Sequence, residues 1–76
     1  MSLSVSQQVE TYVASGCLSL RATPSPSAAI LTCVENGHRY RIINGPVAPG
    51  TSEDWFEVYS RRTGSGWVLA DHMLPD

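Results

Sequence analysis

The stretch CLSLRATPSPSAAILTCVENG, residues 17–37, decides the fold. Leu18, Leu20 and Ala22 fall on one face of an extended segment and Cys17, Ser19 and Arg21 on the other, the two-residue period of a half-buried strand. Thr23-Pro24-Ser25-Pro26-Ser27 cannot continue a ladder, because each proline lacks the N–H that a central strand donates, so a loop follows. Strand character returns at Ala29. Ile30 to Val34 is apolar and rich in β-branched residues, and Glu35-Asn36-Gly37 supplies a turn whose glycine accepts a positive φ.

Pairing the two strands antiparallel with Leu20 opposite Ile30 sets Cys17 directly across from Cys33 on the same side. Residues opposed at a non-hydrogen-bonded site lie about 4.5 Å apart at Cα, within reach of a disulfide. Closing a loop of about 15 residues adds roughly 3 kcal/mol, a large fraction of what a small domain possesses. The alternative is two reduced thiols packed as small apolar groups. A disulfide implies an oxidising, extracytoplasmic home.

Outward from this run, residues 1–8 are polar and rich in Ser and Gln, which reads as a flexible lead-in, and residues 9–76 form one domain. Val9–Ala14 and Arg39–Ile42 alternate as strands, Trp55–Ser60 places Phe56 and Val58 opposite Trp55, Glu57 and Tyr59, and Trp67–Leu69 follows a polar turn. Residues 44–52, rich in Gly and Pro, read as a long connection. Asp71–Leu74 closes the chain as a short helical turn and strand. With turn signals every 6 to 12 residues and no helical period, the class is all-β, a small barrel of five to six short antiparallel strands.

Seventy-six residues leave no room for two lobes and a cleft, while 42% hydrophobic content suffices for a core and argues against disorder. The net charge of −2, with five arginines and no lysine, is the wrong balance for a nucleic-acid backbone binder. No apolar run approaches the roughly 20 residues of a transmembrane segment, and the N-terminal residues carry no signal peptide pattern. Cys17, Cys33, His38 and His72 show no close spacing of metal-ligand type, and so small a scaffold cannot hold a Cys/His pair with an oxyanion site. No cofactor, metal or catalytic role is expected.

Leu18-Ser19-Leu20-Arg21-Ala22-Thr23-Pro24-Ser25, then Ile30-Leu31, Asn36-Gly37, Tyr40 and Ile42, Trp55 with Val58, and Gly64 with Gly66-Trp67-Val68 and Leu74, together resemble the bacterial SH3-like (SH3b) domain family over residues 9–75. Ser19, Thr23 and Ala28 stand where the family usually has Asn, Gly and often an aromatic residue. The resemblance implies a non-catalytic targeting module of a bacterial cell-envelope protein, recognising peptidoglycan through its stem peptide or glycan for an attached hydrolase. The alternative is a structural domain packing on a partner protein or catalytic domain. The expected ligand groove is edged by Tyr40, Trp55, Tyr59 and Arg61, which offer aromatic faces and a cation for carboxylates. Trp67 is expected in the core, Arg21 in a structural role toward loop carbonyls or Glu53 or Asp54, and His38 exposed beside the turn at Gly37.

Overall fold

The computed structural model describes residues 3–47 and 54–75. Its strands are β1 (Gln8–Thr11), β2 (Leu18–Arg21), β3 (Ile30–Val34), β4 (Arg39–Val47), β5 (Trp55–Ser60), β6 (Gly64–Leu69) and β7 (Met73–Pro75), with a 3-10 turn at Ala70–His72 before the last. All pair antiparallel in one sheet of order β3-β2-β6-β5-β4-β1-β7. The all-β class expected from the sequence is therefore present, and the short strand after the helical turn brings the count to seven.

The principal extents, 29, 26 and 23 Å, are nearly equal, which a flat sheet cannot give. With no second layer to cover it, the sheet curls and buries one face against itself. Every strand sends side chains into this interior: Val9, Leu18, Leu20, Val34, Tyr40, Ile42, Phe56, Val58, Val68 and Met73 form one cluster. Leu3 packs against it, Ser6 N–H donates to Ile42 O at 2.8 Å, and Ile42 N–H donates to Gln7 O at 3.0 Å. The residues read as a lead-in thus include a defined approach to β1.

Three expectations are corrected here. The β2–β3 register has Leu20 opposite Thr32, not Ile30, and Ser19 opposite Cys33, with a bulge between Leu20 and Arg21. A shift of two residues leaves every side chain on the same face, so periodicity could not choose between the registers. Cys17 and Cys33 are consequently diagonal neighbours rather than directly opposed, yet they are joined in a disulfide with Cα atoms 5.5 Å apart.

The second correction concerns Trp67. Between the inward Gly66 and Val68 it points outward and is half-buried, opposite Glu57 on one side and Arg21 on the other. The interior position belongs to Gly66 because Leu20 fills the space there: a Cβ on residue 66 would overlap Leu20 Cγ and stand 2.8 Å from its Cδ1.

The third is the connection read over residues 44–52. Asn44–Val47 continue β4 beside β5, with register shifts on either side of Asn44. Gly45 lies within the irregular stretch at φ +110, and a Cβ there would meet Trp55 O at 2.8 Å. Composition rich in Gly and Pro marked a bulged strand here rather than a loop. Residues 48–52 and Glu53 lie outside the described residues.

The chain after β1 wraps over the β3–β4 turn. Thr11, only 2% exposed, donates its hydroxyl hydrogen to Glu35 O (2.7 Å) while its Oγ1 accepts from His38 N–H (3.1 Å). Its backbone pairs with the same turn, Thr11 N–H to His38 O at 3.0 Å and Gly37 N–H to Thr11 O at 2.9 Å. The Asn36 side chain then imitates a strand neighbour for Val13, accepting from its N–H at 2.7 Å and donating to its carbonyl at 2.9 Å.

Thr11→Val keeps the shape but strips the hydroxyl, leaving two backbone groups of the turn without their partner; equilibrium unfolding in denaturant should show a loss of about 1–3 kcal/mol. Reducing the disulfide, which spans a sequence separation of 16, should cost about 3 kcal/mol and lower Tm by roughly 15 °C in thermal scans with and without reductant. An unchanged Tm would remove its stabilising role.

Candidate functional site

Strand β4 turns Tyr40 and Ile42 inward, so Arg39 and Arg41 face outward. Tyr59 stands outward on β5, and the β5–β6 turn carries Arg61 and Arg62. Through the register, Gln8, Arg41, Tyr59 and Ser65 make one row across β1, β4, β5 and β6. Beside this row lies a depression of about 680 Å³ lined by Gln8, Gly37, His38, Arg39, Tyr40, Arg41, Tyr59, Ser60, Arg61 and Arg62. Four of the chain's five arginines line it, and no acidic residue does.

Arg39 Nε lies 3.6 Å from Glu10 Oε1, with both side chains substantially exposed, a pairing of small energetic weight. Among the described residues, Arg41, Arg61 and Arg62 make no ion pair. Guanidinium groups present planar forks of N–H donors, whose chemistry is complementary to carboxylate or phosphoryl oxygens.

Its floor is a hydrogen-bonded chain. Tyr40 OH lies 2.8 Å from Thr63 Oγ1, which lies 3.1 Å from Ser60 Oγ, which lies 3.0 Å from His38 Nε2. The His38 and Tyr40 rings pack with centroids 4.5 Å apart. Because Ser60 and Thr63 flank Arg61 and Arg62, this chain fixes the turn that presents both cations. Although Ser60 and His38 are partners, no described carboxylate hydrogen-bonds the other ring nitrogen, so the orienting member of a serine triad is missing from this arrangement. No group of three or more His, Cys, Asp or Glu side chains suited to a metal ion occurs among the described residues.

Of the four expected groove residues, the structure brings together three. Tyr59 is exposed at the rim and Arg61 beside it, while Tyr40 is the floor, 2% exposed with its hydroxyl engaged. Trp55 is elsewhere. Four residues along β5 from Tyr59, about 13 Å at strand rise, it is buried and lines a separate hollow of about 180 Å³ with Ser19, Arg21, Leu69 and His72. Arg21 bonds a loop carbonyl, its Nη1 donating to Ala28 O at 2.9 Å across the Pro/Ser loop. His38, expected to be exposed, is half-buried in the groove. The sequence offers Arg62 beside Arg61 as a cation for a carboxylate, whereas Arg39, Arg41 and His38 were missed as groove residues. For the two arginines the signal was the Arg39-Tyr40-Arg41 alternation, which puts two cations on one outward face.

No family model, curated protein or solved structure matches the chain.

Burial first, and then the positive charge of Arg62, push the His38 pKa below 6.5, with Glu35 opposing. The unfolded chain therefore binds the proton more readily than the native one. Stability from neutral His38 is fully present above the unfolded value of about 6.5 and is lost as pH falls through the lower native value. Denaturant midpoints measured from pH 7.5 to 5 should decline on the acid side, and His38→Gln should flatten that decline.

Proposed function

We propose that this chain is a non-catalytic binding module of a bacterial cell-envelope protein, related to the SH3-like domains it resembles, which directs an attached hydrolase to peptidoglycan. The observation that carries the reading is the groove, where Tyr59 and three arginines without ion pairs among the described residues share one open face of an acidic chain. An exposed aromatic ring suits a sugar face or an apolar side chain, and the guanidinium groups suit the anionic groups of the wall. The disulfide supports an oxidising compartment, as both of its cysteines are exposed and would meet cytosolic reductants.

A second reading has its own support. Ile30 and Leu31, 55% and 54% exposed, are consecutive residues of edge strand β3 and leave two large apolar side chains uncovered for packing on a partner domain.

Sedimentation with isolated, untreated cell walls separates the two. The first reading expects the wild type to pellet with the wall and Tyr59→Ala/Arg61→Ala to lose about tenfold in affinity, as the removal of one ionic and one stacking contact implies. Ile30→Ser/Leu31→Ser should pellet normally. If the wild type stays in the supernatant, the wall-binding reading fails and the partner-domain reading stands.

A further inference from the structure

We infer that the groove is a phosphoryl site, taking a phosphodiester polymer borne by the cell surface. The inference rests on the reading of this groove as the wall-binding surface, and it names the chemistry recognised there. A lone carboxylate is planar and is satisfied by one or two guanidinium forks. Here Arg41 approaches from β4 while Arg61 and Arg62 approach from the β5–β6 turn, and all three line one depression without a described acidic partner. Tetrahedral phosphoryl oxygens accept from several such directions, and a repeating polymer brings one anion after another to cations set along an open groove.

Two further observations fit a chain of phosphodiesters. Tyr59 lies directly opposite Arg41, so an apolar ring adjoins a guanidinium on the same face, suited to alternating polyol and phosphate units. The rest of the molecule is acidic: with four of the five arginines in the groove, the seven acidic residues outweigh the one remaining arginine. By charge count a polyanion is therefore favoured at this face over the rest of the chain. Nucleic acid shares the phosphodiester but not the compartment that the exposed disulfide indicates.

The direct test is titration of the full chain with poly(glycerol phosphate), using citrate, a polycarboxylate, as the comparison. Binding should be about tenfold tighter to poly(glycerol phosphate) than to citrate, and log K against log salt should have a slope of about −2, as three neutralised phosphates on a single strand imply. Arg41→Ala, Arg61→Ala and Arg62→Ala should each reduce that slope by about 0.7. Equal binding of citrate, or unchanged slopes in all three variants, would overturn the inference.

A second measurement keeps this outcome distinct from that of wall binding. Walls are sedimented with the protein before and after hydrofluoric acid removes their phosphodiester polymers. Capture by intact walls alone supports the inference. Equal capture by both overturns it while leaving peptidoglycan binding in place, and capture by neither ends the wall-binding reading, as it also does this inference.

Discussion

The Thr11 hydroxyl bridges Glu35 O and His38 N–H across the β3–β4 turn, donating to the carbonyl and accepting from the N–H. Much of the structure depends on that bridge. It ties the end of β1 to the turn, and Asn36 completes the seam by pairing with Val13 as a strand would. A curled sheet with a free edge at β3 and another at β7 needs its ends held in relation to each other, and here a few buried hydrogen bonds do so. The same turn delivers His38 and the start of β4, so the floor and one wall of the groove inherit their position from Thr11.

Charge shows how a sum conceals a distribution. A net charge of −2 is a property of the whole chain, whereas binding depends on the potential at one face. The fold places arginines on alternate outward positions of β4 and in an adjacent turn, and no carboxylate lines the depression they share. Residues 39 and 61 are far apart in sequence and become neighbours only because β4 and β5 pair with Arg41 opposite Tyr59.

The strands were legible because alternation is a local property: Leu18 and Leu20, Phe56 and Val58 are buried as their spacing demands. Register was not legible, since a two-residue shift preserves every face and only the bulge at Arg21 distinguishes Thr32 from Ile30 as the neighbour of Leu20 or Arg21. Trp67 and Trp55 both departed from their expected surroundings for a similar reason. Size alone favours tryptophan inside, but Leu20 already fills the space beneath Gly66, while the hollow beside Leu69 covers Trp55. Tyr59 and Arg61 could be found from one strand and its turn. Arg39, Arg41 and His38 needed the sheet order.

Strand β3 has a single neighbour in the sheet, and its outer edge offers unpaired backbone groups next to Ile30 and Leu31. Such a strand is the natural candidate for exchange between two copies of a chain, each lending its edge to the other. The Cys17–Cys33 bond lies between β3 and the strand it must leave. Once that bond has formed, β3 cannot depart without taking β2 with it, and β2 carries Leu18 and Leu20 from the interior. The bond therefore constrains movement as well as stability: β2 and β3 are covalently joined, and the edge strand can leave the sheet only as part of that pair.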